Sequence, residues 1–290
     1  MAGAPARTGR LGVPAEVGLW MLASAVGFAV LVCVVRRLSA ELDVLVVQVW
    51  RNVFAVLLFA PWLARVGLAG LRTQRLPLFL TRSALFVVSS TALFYGVTMV
   101  PVADATALSF TAPLFTTILA VLLLKERVDG ARWGAIAAGL AGMLVILRPG
   151  VGVFDAAAAA VVLTAAASFA LVTITGKLLA STESPALVTA CLSVFALPLS
   201  IVPALFVWTW PAPEHLGWLL LIGLAANLNM YGFARAMRIG DASMATPFDF
   251  IRLPATALVA FLMFGQAPEL WTRLGAAIIV AASIYVGRRK

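Results

Sequence analysis

The sequence predicts an all-α integral membrane protein whose ten transmembrane helices form two inverted five-helix repeats. Three observations carry that expectation. Hydrophobic residues make up 63% of the 290 and charged residues only 11%, where a soluble domain carries about 25% charge. A soluble core of this size has no room for so much apolar surface, whereas a bilayer is a solvent for it. The apolar residues fall into ten runs, each close to the length a helix needs to cross the hydrocarbon. Finally, the tails of the two halves repeat one pattern. The first half carries Tyr95-Gly96, Asp104, Pro113, Glu126, Trp133 and Gly134; the second carries Tyr231-Gly232, Asp241, Pro254, Gln266, Trp271 and Gly275. Five crossings per half is an odd number, so the second copy enters the membrane from the opposite side.

The first repeat (17–147) holds spans at 17–35, 44–63, 77–99, 104–123 and 131–147; the second (155–287) holds spans at 155–176, 186–208, 215–235, 242–264 and 271–287. The opening "MAGAPARTGRLG" has the charge of a cleavable leader, but nine further spans follow the first, which reads as a retained helix. Pro101, Pro149, Pro185 and Pro268 mark turns, and the turn from Arg65 to Arg75 is the longest between spans. The third span carries Ser89, Ser90 and Thr91, and the fourth Thr106, Ser109 and Thr111. Pro113 in the fourth span and Pro247 and Pro254 in the ninth are hinge candidates, because proline frees backbone carbonyls inside a helix. The fifth and tenth spans hold almost nothing polar beyond Ser283. Gly134, Ala138 and Gly142 recur at the spacing of close helix contact. These two spans are expected to form peripheral scaffold or a homodimer contact, and not to line a path.

Charge placement sets an orientation. The formal charge is +9, but the basic residues sit in short turns with no basic stripe among aromatics, which excludes nucleic acid as a partner and makes the lipid bilayer the surroundings. With the N-terminus inside, fourteen basic residues fall at cytoplasmic ends: Arg7, Arg10, Arg65, Arg72, Arg75, Lys125, Arg127, Arg132, Lys177, Arg235, Arg238, Arg288, Arg289 and Lys290. Only Arg36, Arg37, Arg148 and Arg273 fall outside. That asymmetry predicts both termini in the cytoplasm. The turn after the third span has no basic residue, while its mate after the eighth has Arg235 and Arg238.

Chemistry-bearing residues are few. Cys33 and Cys191 lie inside apolar runs, and the single histidine, His215, sits in an outer turn beside Glu214. No metal-ligand spacing, no cofactor motif and no nucleophile with a neighbouring base are visible, so the chain reads as neither a metalloprotein nor an enzyme. Three arginines fall within spans. A central arginine costs about 2.5–3.5 kcal/mol on insertion scales and needs a partner, a wet cavity or a route to the interface. Arg82, near the cytoplasmic end of the third span, reads as an anchor or a functional group with even weight. Arg51 lies about 12 Å into the second span, with Gln48 a turn earlier and Asn52 beside it. Arg252 lies about 16 Å into the ninth, with Asp249 on the same face as its partner, a pair that either locks helix packing by mutual neutralisation or borders the solute cavity. The cavity candidates are therefore Gln48, Arg51, Ser90, Tyr95, Ser109, Asn227, Asn229, Tyr231, Asp249 and Arg252. Asp249 is the one acidic residue well within a span, so transport is expected either by facilitated diffusion or exchange, or by proton coupling that depends wholly on Asp249. Phe86, Phe94, Phe110, Phe233, Phe248 and Phe250 accompany these groups and would suit a flat, partly apolar solute.

The stretches "ADATALSFTAPLFTTILAVLLLKERV", "RWGAIAAGLAGMLVILRPG" and "TPFDFIRLPATALVAFLMFGQAPELWTRLGAAIIVAASIYVGRR" resemble the drug/metabolite transporter superfamily with two EamA-type repeats. The resemblance covers nearly all of 17–287. It implies ten helices in a bacterial inner membrane, a central cavity lined by spans 1–4 and 6–9, and a small-molecule solute. "FDFIRLP" is similar to a subgroup containing riboflavin and S-adenosylmethionine importers. The expected function is secondary transport of a small organic metabolite, with uptake of a cofactor-like or aromatic solute preferred. An exporter of amino acids, drugs or toxic metabolites is the alternative, and a non-transporting assembly partner the alternative of another class. Gln266 stands where the first repeat has Glu126, so a role resting on that carboxylate does not carry over.

Overall fold

The computed structural model describes residues 13–66, 73, 75–125, 130–147, 155–180, 182–183, 185–239 and 251–288. All regular structure among them is helical: α1 (Val13–Leu38), α2 (Val44–Val66), α3 (Leu76–Met99), α4 (Val102–Ser109), α5 (Ala112–Leu124), α6 (Gly130–Leu147), α7 (Ala156–Ala180), α8 (Pro185–Ala204), a 3₁₀ turn (Pro213–His215), α9 (Leu216–Ile239), α10 (Arg252–Phe264) and α11 (Leu270–Arg288). Five stretches are long and apolar enough alone to cross a membrane: Ala15–Leu38, Leu76–Met99, Val102–Leu123, Ala156–Gly176 and Pro213–Phe233. Among the described residues, shorter apolar helical stretches lie at Val44–Leu57, Ala137–Leu147, Cys191–Ala204, Arg252–Phe264 and Leu270–Ala282.

The fourth span is broken, where the sequence left a kink and a break open. α4 ends at Ser109, Phe110 and Thr111 turn through hydrogen bonds to Ala107 O and Leu108 O, and α5 restarts with Pro113 in its first turn. Proline is tolerated there because the amide it lacks would be unpaired anyway. The described part of the ninth span, α10, likewise opens just before a proline, Pro254. Both helices then end on a left-handed residue, Lys125 at φ 54° and Gly265 at φ 67°. Pro247 and Asp249 lie outside the described residues. The seventh span stops at Ala204, short of the expected 208, and residues 205–212 lead into the 3₁₀ turn.

Contacts between the halves come in mates. α1 packs on α9 and α3 on α7; α1 also packs on α10 and α7 on α5; α2 meets both α8 and α9, while α8 meets α3. The repeated Tyr-Gly pairs explain part of this. Gly232 faces Trp20 O and Ser24 N of α1, and Gly96 faces Val162 of α7. Each glycine thus lets the third helix of one half close on the first helix of the other. Gly27 completes the α1–α9 seam, lying against Ala225 O and Asn229 N. Interhelical polar bonds follow the same pairs: Ser24 Oγ donates to Asn229 O (3.0 Å), and Ser89 Oγ donates to Ala165 O (2.9 Å).

α6 and α11 pack on each other within the chain, with Gly142 and Gly275 backbone to backbone. Of the expected stripe only Gly142 is used in this way; Gly134 has open space beside it, and Gly139 instead packs on Leu114. Gly142 is thus taken up by a contact within the chain. Arg82 does not snorkel freely: its guanidinium reaches Val172 O of α7 and Val188 O of α8, both at 3.3 Å. Gly176 leaves room for it.

Candidate functional site

A helix in lipid cannot leave polar groups unpaired without cost, so the buried polar groups of α2, α3 and α8 define the site. Gln48 is fully buried, and its Nε2 donates to Ser90 Oγ at 2.7 Å. That hydroxyl donates onward to its own helix, at Phe86 O and Val87 O. One turn beyond Gln48, Arg51 is 7% exposed, and its Nη2 donates to Asn52 Oδ1 at 2.6 Å. Asn52 Nδ2 in turn donates to Ser200 Oγ at 2.9 Å and to Ala196 O, tying α2 to α8.

The Arg51 guanidinium lies between two rings of α3, 5.2 Å from the Phe86 centroid and 5.6 Å from that of Phe94. A desolvated cation–π contact of this kind contributes about 2 kcal/mol. Among the described residues no carboxylate lies within 4.0 Å of Arg51. Two atoms of the cluster remain buried and unpaired, Gln48 Oε1 and Arg51 Nε. Each such group costs on the order of 1–3 kcal/mol while unsatisfied. An unpaired acceptor and an unpaired donor thus stand one helical turn apart on α2, with the aromatic rings of Phe86 and Phe94 over the guanidinium.

The other candidates divide around this cluster. Arg252, at the start of α10, stacks on Phe28 (5.2 Å) and Phe233 (5.8 Å), which makes a second arginine–aromatic group between α1, α9 and α10. Tyr95 donates to Asp43 Oδ1 (3.2 Å), the residue that also accepts from Leu45 N at the start of α2. Ser109 bonds back to Thr106 O, and Asn227 to Gly223 O. Asn229 donates to Ser24 O and Ser24 Oγ, so its amide is engaged in the α1–α9 seam. Tyr231 is 55% exposed and sets its ring edge-on against Trp20. Phe28, Ser24 and Ser200 join these groups without having been singled out in the sequence; a serine inside an apolar span was the one available signal.

At the α1–α2 turn the fold assembles groups that are far apart in sequence. Glu41, in the α1–α2 turn, accepts from Arg37 Nη1 (3.0 Å) and faces His215 Nε2 at 2.8 Å. With Glu214 they border a cavity of about 220 Å³, also lined by Leu38 and Trp218. The ligand atoms of Glu41, Glu214 and His215 lie within 4.8 Å of one another, a spacing that could hold a metal and that residue spacing alone did not reveal. Hydrogen bonding argues against that use. His215 Nδ1 accepts from Ala212 N (3.1 Å), so the neutral ring carries its proton on Nε2 and donates it to Glu41. The bonds from His215, then from Arg37, hold the Glu41 carboxyl below the usual carboxylate range. The opposite end of α3 has its own tie: Thr73 Oγ1 donates to Glu183 Oε1 (2.6 Å) and Arg75 Nη1 to Leu178 O (3.1 Å).

The EamA-like transporter family matches residues 17–148 and again 156–288. A riboflavin transporter of Rhizobium johnstonii is 36% identical over 94% of this chain and 91% of its own. A riboflavin transporter of Vibrio cholerae is 34% identical over 94% and 93%. An S-adenosylmethionine uptake transporter of Rickettsia prowazekii is 29% identical over 92% and 90%. A crystal structure 18% identical superposes on 93% of this chain and 94% of its own with a TM-score of 0.61, a likeness of fold alone. Matched across both halves by the family and along nearly its whole length by these transporters, the chain is a multi-pass transporter of the bacterial inner membrane and belongs to the EamA-like transporter family.

Proposed function

We propose that this transporter takes up a flat, cofactor-like metabolite of the riboflavin type by alternating access between two inverted repeats. The observation that carries the solute is the 36% identity, over 94% of the chain, to a protein named as a riboflavin transporter. The buried Arg51–Gln48 pair beside Phe86 and Phe94 supports it from the chemistry of the site.

Chain direction supports the inversion and the ten crossings. Arg36, near the end of α1, donates to Val97 O and Val100 O at the end of α3, so these two helices finish together. α3 and α7 run oppositely, since Ser89 meets Ala165 while Arg82 meets Val172. The first helices of the two halves, α1 and α7, therefore run in opposite senses. The two end ties are mates under the same exchange. Glu41 and Glu183 each lie three residues beyond the first helix of their half. His215 and Thr73 each precede the third helix of the other half. They read as gates at opposite mouths, one of which opens while the other holds. The excess of basic residues at one set of turns supports cytoplasmic termini. A homodimer through the fifth and tenth helices draws no support from Gly142 and Gly275, which are spent within the chain.

Uptake of S-adenosylmethionine is a second reading, favoured by the Rickettsia relative. Its sulfonium would enter beside Arg51, which has no carboxylate within 4.0 Å among the described residues, and this weighs against it. Liposomes carrying the purified protein should accumulate labelled riboflavin, and unlabelled S-adenosylmethionine in excess should leave that uptake unchanged. Uptake of S-adenosylmethionine alone would overturn the riboflavin reading.

A further inference from the structure

We propose that Gln48 and Arg51 read an imide-type edge, an N–H flanked by carbonyls, on a planar heteroaromatic solute whose ring inserts against Phe86 and Phe94. The inference rests on the riboflavin reading and names the part of the solute that the site recognises. Gln48 and Arg51 stand three residues apart on α2 and so share a face. Gln48 has committed its amide N–H to Ser90 Oγ, which leaves a fully buried acceptor, Oε1, with no donor. Arg51 has committed Nη2 to Asn52, which leaves a buried donor, Nε, with no acceptor.

A ligand that satisfies both must offer an N–H and a carbonyl side by side. A carboxylate would suit Arg51 and repel Gln48 Oε1. An ammonium would suit Gln48, but it would bring a second cation beside Arg51, where no described carboxylate lies within 4.0 Å. An imide edge carries the pair with no net charge. The isoalloxazine ring of riboflavin ends in such an edge and is otherwise flat and weakly polar. Phe86 and Phe94, on the side of α3 that faces Arg51, now cover the guanidinium at 5.2 and 5.6 Å. They hold the place of the ring, since aromatic faces take an offset-stacked ring as readily as a cation.

The test is flavin fluorescence quenching by the purified, full-length protein, with riboflavin and with riboflavin methylated at the imide nitrogen. Methylation removes the donor and keeps the ring, the side chain and the charge. The expected result is that the methylated flavin binds about ten- to a hundredfold more weakly, the loss of a buried hydrogen bond. In Gln48→Leu, which has no acceptor to lose, the two flavins should bind within about threefold of each other. Equal binding of both flavins to the native protein would overturn the imide inference and leave riboflavin uptake standing. Binding of neither flavin, with S-adenosylmethionine bound, would overturn both. The comparison on the native protein holds even if Gln48→Leu does not fold.

Discussion

Gly27→Ala should be among the most damaging single-methyl additions in this protein, and the structure sets its size. An alanine Cβ at this position would lie 2.7 Å from both Ala225 O and Asn229 N, where ordinary contact begins at 3.4 Å. These are backbone atoms of α9 and cannot turn aside, so α1 and α9 must part by about 0.7 Å. The three bonds between Ser24 and Asn229, at 2.9 to 3.1 Å, would then exceed hydrogen-bond range. Interhelical bonds in membranes average about 0.6 kcal/mol each, and overpacking adds about 1–3 kcal/mol. The expected loss is about 3–5 kcal/mol on these figures. Unfolding by SDS in mixed micelles, followed by tryptophan fluorescence, measures it. Gly134→Ala is the control: nothing lies within 4 Å of its Cβ, and alanine should gain up to about 1 kcal/mol of helix propensity. If Gly27→Ala unfolds within about 1 kcal/mol of the native protein, below the overpacking term alone, the tight α1–α9 seam is wrong.

Gly265 has positive φ and open space around it, so Gly265→Ala should cost only the backbone strain of about 1–2 kcal/mol, and Lys125→Gly should gain stability at the matching cap; melting temperatures in detergent check both. Glu41 titrates below its ordinary range because of His215 and then Arg37. A depressed carboxyl stabilises the folded state above its unfolded pKa and loses that contribution as pH falls through its folded pKa. The tie among Arg37, Glu41, Glu214 and His215 at the α1–α2 turn should therefore weaken on the acid side. The melting temperature of Glu41→Gln, measured across the acidic range, should lack that component, and identical pH profiles for the two proteins would refute it. Single cysteines, placed in a background lacking Cys33 and Cys191, should be labelled from outside near Asp104 and from inside near Arg238; labelling of both from one side would remove the inverted arrangement.

Hydropathy is a local property, and whatever depends on it alone was legible from the chain. Lipid rewards each apolar residue wherever it sits along a helix, so apolar runs can be read without knowing any neighbour. α2 and α3 begin within a residue of the expected positions. Polarity and charge inside an apolar run are equally conspicuous, and for that reason Gln48, Arg51 and Arg252 stood out. Pro113 announced a disturbance in the fourth span, though only the hydrogen bonds at Phe110 and Thr111 decide that it is a break.

Which way each helix turns was not legible. These helices are apolar nearly all round, so no stripe of polarity reports their rotation, and partners are chosen by fit between surfaces distant in sequence. The tertiary structure alone decides that Gly27 and Gly232 close one seam between the halves, and that Arg82 reaches into α7 and α8. It also decides that Asn229 serves the α1–α9 seam while Asn52 ties α2 to α8. Glu41 and His215, 174 residues apart, meet only because the two halves fold against each other. The chain determined what would enter the membrane, because each residue pays its own transfer energy; packing determined what faces what, because contact energy belongs to pairs.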